Sequence, residues 1–301
     1  MSIENTLVDQ WKAKNYTDST IRNYIHDLRL LNNKQPIETL DFLNDYQHIF
    51  QKLAHYKPTT IRAKLIAALA VLKLFPENDL QTIYGTRIRE INKSHTDNTT
   101  KSESQETNWI NKDEIMTVWD NYSQKVASFA NKKTITNDQF NILLQFMILS
   151  LFCLIPPRRN QDYQQMLIVK KFTPEMTADN YIDVSKKRFI FNNYKTSKVY
   201  KQKVEEIPAN LWNIIKIYLR HKPKTDTFLC NCEGAPLPHV NSITLILNKI
   251  FGKRVGVSML RNIFLSEKYE KLQPLLDELS KDTDAMGTSN KTAINNYIKK
   301  D

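Results

Sequence analysis

The sequence predicts a mainly α protein with one small β element, an α+β chain divided into two domains. Three observations carry this. Through most of the chain apolar residues recur every third or fourth position, the spacing that gathers them on one face of a helix. Between Tyr181 and Ile207 that rhythm gives way to short runs rich in β-branched and aromatic residues. Only 5 glycines occur among 301 residues, too few for an all-β chain with many tight turns. A chain of this length can also bury two cores of ordinary size.

Residues 1–93 read as short helices forming one domain. Leu7 and Trp11 give a first amphipathic turn. Thr17-Asp18-Ser19 offers capping oxygens to the next helix, in which Ile21, Tyr24, Ile25 and Leu28 keep one face apolar. Arg22 and Arg29 fall on the opposite face. Pro58 suits the first turn of a further helix, where its missing N–H goes unneeded. Ile61, Leu65, Ala68, Leu69 and Leu72 form its stripe and leave Arg62, Lys64 and Lys73 off it. Residues 94–107 are polar, without a large apolar side chain, and read as a flexible linker.

The second domain, 108–301, opens with Asn111 as a cap and an acidic first turn before Ile115 and Trp119. Asn137 to about Leu154 supplies the main core helix, and Pro156-Pro157 stops it. Arg158 and Arg159 then lie at the start of the next helix. Strands are expected at Tyr181–Val184, at Arg188–Phe191 and from Val199 through Val204 to Ile207, with turns near Ser185 and between Tyr194 and Lys198. Lys186, Lys187, Arg188, Lys195, Lys198, Lys201 and Lys203 have no acidic residue among them. A hairpin so basic and flanked by aromatics suits contact with phosphate. Helices resume at Leu211–Arg220, His239–Phe251, Ser258–Tyr269 and Leu272–Leu279.

The net charge of +11, from 43 Lys and Arg against 32 Asp and Glu, favours a polyanionic partner. No glycine-rich phosphate loop is present, which argues against a nucleotide-driven mechanism. The 3 cysteines, two of them in Cys230-Asn231-Cys232, form neither a disulfide framework nor a zinc pattern. With no apolar leader, the chain is expected inside the cell and not secreted. The apolar run Ile142 to Ile155 is too short for a membrane span, so no membrane partner is expected. Neither a metal nor a cofactor is expected.

Four groups of residues carry candidate chemistry. They are Arg158-Arg159 with Asp162, Lys195 with Lys198, Ser258-Met259-Leu260-Arg261-Asn262, and a terminal stretch from Met286-Gly287-Thr288 to Tyr297. Cleaving a phosphodiester with a tyrosine needs cations around the pentacoordinate phosphorus and a proton for the departing 5′ oxygen. Arginine suits the first task through its planar fork and fixed charge. Lysine on a hairpin suits the second. A phenolate ester keeps the bond energy, so rejoining needs neither ATP nor metal.

In order and spacing these groups resemble the tyrosine recombinases, or site-specific integrases. The resemblance also takes in Ser19-Thr20-Ile21-Arg22-Asn23-Tyr24 and the Pro58-Thr59-Thr60 helix, similar to that family's N-terminal DNA-clamping domain. It implies Tyr297 as nucleophile, Arg159 and Arg261 on the phosphate, Asp162 beside the first arginine, and Lys195 as proton donor. Arg158 and Lys198 remain alternatives to their neighbours. Where the family carries histidine, or histidine or tryptophan, this chain has Ser258, Asn262 and Thr288. Ser258 and Thr288 keep a hydroxyl that can bond phosphate. Ser258 as a mere helix cap and Tyr297 as a packing aromatic stay open. The divergent form looks like the integrases of large DNA viruses and eukaryotic mobile elements.

The resemblance implies double-stranded DNA as partner, at the host nucleus or the site of viral or mobile-element replication. Arg22, Arg62, Lys64, Lys186, Lys187, Arg188, Lys201 and Lys203 are the candidate DNA contacts. A type IB-like topoisomerase and an inactive DNA-binding protein that kept the fold are the alternatives. Because four residues follow Tyr297, the tyrosine is expected to serve its own active site. The chain is then expected to be a monomer free in solution and a homo-oligomer on DNA.

Overall fold

The computed structural model describes residues 3–96 and 101–299. They form two compact units, Met1–Thr100 and Lys101–Asp301, each with its own core. The class is α+β: helices dominate, and one four-stranded sheet lies in the second unit. Among the described residues, no helix is long and apolar enough to cross a membrane.

The first unit packs α1 (Ile3–Ala13), α2 (Asp18–Leu31), α3 (Tyr46–Leu53), α4 (Pro58–Leu72) and α5 (Asp79–Thr96). Thr17 caps α2 by accepting from the Thr20 N–H, and Pro58 opens α4. Helix α4 is central, packing against both α2 and α5. It therefore buries Leu65, Ala67, Ala68, Val71 and Leu72 on more than one face. That corrects one expectation. Lys64 is not on an exposed face but only 7% exposed, and its Nζ pairs with Asp27 Oδ1 at 2.9 Å. A charge taken out of water needs such a partner. Helix α5, unmarked in the sequence reading, is anchored by Tyr84, whose hydroxyl donates to the Leu43 carbonyl at 3.1 Å.

In the second unit, α6 (Glu103–Asn108) occupies part of the stretch expected to be a structureless linker. Ser102 and Gln105 close a capping box at its start. The other end of that stretch continues α5, and residues 97–100 lie outside the described residues. Helix α7 (Lys112–Ala127) begins with the Asn111–Glu114 capping box and α8 (Asn137–Cys153) with the Thr136–Gln139 box. Helix α8 runs through the core, where Phe140, Leu143, Met147, Ile148 and Leu151 are buried. Its polar residues find partners on α7: Tyr122 donates to Gln145 at 2.7 Å and Trp119 to Ser150 at 2.9 Å.

A short α9 (Asn160–Gln164) leads into β1 (Leu167–Val169), β2 (Tyr181–Asp183), β3 (Arg188–Phe191), α10 (Ser197–Tyr200) and β4 (Lys203–Glu206). The sheet order is β1-β2-β3-β4, with β1 parallel to β2 and the other pairs antiparallel. Two expectations change here. Val199 and Tyr200 belong to a helical turn, and the last strand starts only at Lys203. The basic residues also do not form one tip: Lys186 and Lys187 lie at the opposite end of β3 from Lys195–Lys201, because β3 runs between the two turns. Helices α11 (Ala209–His221), α12 (Ser242–Phe251), α13 (Val257–Tyr269), α14 (Gln273–Ala285) and α15 (Asn290–Thr292) complete the chain, with a π turn over Ala293–Tyr297. Gly256 opens α13 against α12, where a Cβ would lie 3.1 Å from Thr244 Cγ2.

Candidate active site

Pro156 and Pro157 end the core helix and lead into Arg158 and Arg159, the latter in extended backbone. Arg158 turns inward. Its Nε donates to Asp162 Oδ2 at 2.9 Å and its Nη1 to Glu205 Oε1 at 2.7 Å. Its guanidinium carbon lies 3.6 Å from the Phe191 ring centroid and 5.4 Å from that of Tyr194. Arg158 thus ties α9 to β4 across β3, and its charge is already spoken for.

Arg159 differs. It is the capping residue of α9, its carbonyl accepts the Asp162 N–H at 3.0 Å, and it is half-buried. Among the described residues its guanidinium has no hydrogen bond or ion pair, and the same holds for Arg261 on α13. Both line one cleft of about 470 Å³. Pro156, Pro157, Arg158 and Asp162 make one side of it; Tyr194, Thr196, Tyr200, Lys203 and Glu205 make another. The cleft is therefore lined by two uncommitted arginines and an exposed lysine, the donors a phosphate group takes.

Asp162 pairs with Arg158 and not with Arg159, as the Arg-x-x-Asp spacing alone suggested. At 2% exposed, burial pushes its carboxyl up, and both arginines pull it back only in part. Among the described residues its Oδ1 has no hydrogen-bond partner, and neither does the buried Tyr163 hydroxyl beside it in sequence. Burial likewise drives the Tyr163 phenol far above its ordinary value. Behind the cleft, Asn180 clamps the arrangement. Its Nδ2 donates to the carbonyls of Asp162 (2.9 Å) and Asn193 (2.8 Å), and its Oδ1 accepts the N–H groups of Asn192 and Asn193. One buried amide thus fixes α9 against the end of β3.

The remaining nominated residues lie outside this lining. Lys195 and Lys198 are exposed on the connection between β3 and β4, with Lys201 further along it. Ser258 and Asn262 are exposed on α13, whose capping residue is Gly256, so Ser258 does not cap it. Thr288 is half-buried and its N–H donates to the Thr283 carbonyl at 2.9 Å. Tyr297 ends the π turn and is 60% exposed. From Gln273 to Lys299 only Thr283 and Ala293 are buried, so this segment leans lightly on the rest of its unit.

Arg188 is held by buried Asp183 at 3.1 Å, leaving Lys186 and Lys187 exposed in the turn before it. In the first unit Arg22 is exposed, while Arg62 donates to Asn92. Sequence reasoning missed Asn180, Glu205, Tyr194 and Tyr200. Phe191 and Tyr194, three apart beyond a basic run, were a visible signal of an arginine platform. Asn180 sits in no pattern that marks it.

No family model matches the chain, and no curated protein matches it. Among solved structures, the crystal structure of XerA recombinase is similar at 13% identity, over 88% of this chain and 82% of that one, with a TM-score of 0.36.

Proposed function

We propose that this chain cleaves and rejoins DNA strands as a tyrosine recombinase, through a phosphotyrosyl link. The observation that carries the reading is the convergence of Arg159 and Arg261 on one cleft, their guanidinium groups without a hydrogen bond or ion pair among the described residues, beside the committed Arg158–Asp162 pair. Two guanidinium forks can hold the non-bridging oxygens of a phosphodiester and stabilise the charge that builds as phosphorus becomes five-coordinate. Tyr297 Oη attacks the phosphorus and its own proton passes to solvent; the P–O5′ bond breaks, and Lys195 delivers the proton that the 5′ oxygen takes away. Lys203, which already lines the cleft, adds positive charge to the phosphate. Ser258 and Thr288 supply hydroxyl contacts once the terminal segment closes on bound DNA. Arg22 and Arg62 of the first unit, with Lys186, Lys187 and Lys201 of the second, contact the duplex backbone. Copies assemble on DNA.

One observation favours a second reading, a DNA-binding protein of this fold without the chemistry: Tyr297, Lys195, Ser258 and Thr288 all lie outside the cleft lining. A single experiment separates the two. The protein is incubated with random-sequence duplexes each bearing one nick, then denatured and run on a gel for covalent adducts. Wild type should give an adduct and Tyr297→Phe none, with duplex binding retained. An adduct that persists in Tyr297→Phe would remove Tyr297 as nucleophile. Salt-sensitive binding without any adduct would select the second reading.

A further inference from the structure

We infer that Val199 and Tyr200 form a wedge that enters the base stack of duplex DNA, next to the phosphate held by Arg159 and Arg261. This rests on the reading of the cleft as a DNA site and adds how the duplex is deformed there. The connection between β3 and β4 is built and not slack. Ser197–Tyr200 makes one helical turn, and the chain leaves it through Lys201 at φ 56 and ψ −161, a conformation costly for a residue with a side chain. Tyr194 pins that residue, its hydroxyl donating to the Lys201 carbonyl at 2.6 Å. Gln202 donates to Asn192 Oδ1 at 2.8 Å across the base of the connection.

What this scaffold presents is apolar. Val199 is 72% exposed and Tyr200, the next residue, 60% exposed. Lys195, Lys198, Lys201 and Lys203 flank them along the chain, all exposed. An apolar point flanked by lysines suits a polyanionic backbone with an apolar stack inside it. A second copy of this chain, itself at +11, would meet those lysines with like charge. Tyr200 also lines the arginine cleft, and the Lys203 ammonium lies 5.8 Å from its ring centre. The wedge is thus joined to the phosphate site, so the unstacked step falls beside the bond to be cut. Aliphatic and aromatic side chains inserted between base pairs act this way, the unstacking being repaid by closer contact.

The test compares affinities for two labelled duplexes of equal length and charge, one fully paired and one with a single mismatched step. Part of the unstacking is absent from the mismatched duplex, so wild type should bind it at least about tenfold more tightly. Val199→Ser/Tyr200→Ser should bind both alike, with its melting temperature unchanged. A wild type without the preference, or a double variant that keeps it, overturns the wedge while leaving DNA binding intact. Self-association without DNA that the double variant loses would also overturn it, by making the tip a protein contact. Absence of salt-sensitive binding to either duplex would instead overturn the DNA reading of the cleft.

Discussion

Two aspartate–arginine pairs stand at opposite ends of the small sheet, and they are not equivalent. In both, the carboxylate is buried and the arginine is half-covered: Asp183 with Arg188, and Asp162 with Arg158. Asp183 is fully served. Its Oδ1 accepts from the Ser185 N–H and hydroxyl and from the Lys186 N–H, and its Oδ2 takes Arg188 Nε. Burial pushes its carboxyl up, but those donors more than offset this and hold it below the ordinary range. Asp162 has Arg158 on one oxygen and, among the described residues, no hydrogen-bond partner on the other, so burial prevails and its carboxyl lies above the ordinary range. Deeper burial with fewer donors raises one carboxyl, and shallower burial with more donors lowers the other. The satisfied pair closes a turn; the unsatisfied one sits beside two further arginines whose guanidinium groups make no hydrogen bond or ion pair among the described residues.

Breaking the second pair from the arginine side should have the largest effect. Arg158→Ala leaves Asp162 buried without a partner and strips a cation from the Phe191 and Tyr194 rings, so a loss of about 3–5 kcal/mol is expected in urea unfolding. Arg159→Ala, one residue on, should change stability by less than about 0.5 kcal/mol. Similar losses for the two variants would erase the distinction between the held and the free arginine. Asp183→Asn should cost about 1.5–3 kcal/mol at neutral pH, since it weakens charge-assisted hydrogen bonds. Asp162→Asn should cost less than Asp183→Asn, because burial already disfavours the charge at Asp162.

The pH dependence sharpens the contrast further. Asp162 binds its proton more tightly folded than unfolded, so its stabilising contribution is full below about pH 3.9 and fades as pH rises through its raised value. Asp183 does the reverse: its contribution is present above about pH 3.9 and fades as pH falls through its lowered value. Acidification from neutrality should therefore first gain stability through Asp162 and then lose it through Asp183. Unfolding across a pH series should show Asp162→Asn without the gain and Asp183→Asn with a smaller loss. The opposite assignment of the two limbs would refute this account of the pairs.

Much of this fold was legible because its signals are local. Asn111 with Glu114 caps α7, Thr17 caps α2, and Pro58 opens α4, each within a few residues of the helix it starts. What was not legible depends on distant packing. Lys64 is buried only because α4 is sandwiched between α2 and α5, which its own spacing does not reveal. Strand β1 has three residues and depends on pairing with β2. The division of labour between Arg158 and Arg159 is set by Phe191 and Glu205, far along the chain. A motif can nominate an arginine; it takes the fold to say which of two neighbours is free.

Arg159 and Arg261 are proposed as the cations that hold DNA phosphate. The direct measurement is the salt dependence of duplex affinity for wild type and for Arg159→Ala/Arg261→Ala. Each phosphate contact removed should lower the slope of log affinity against log salt by about 0.9. The double variant is therefore expected to bind more weakly, with a slope shallower by about two and an unchanged unfolding midpoint. A slope identical to that of wild type would show that neither arginine holds phosphate.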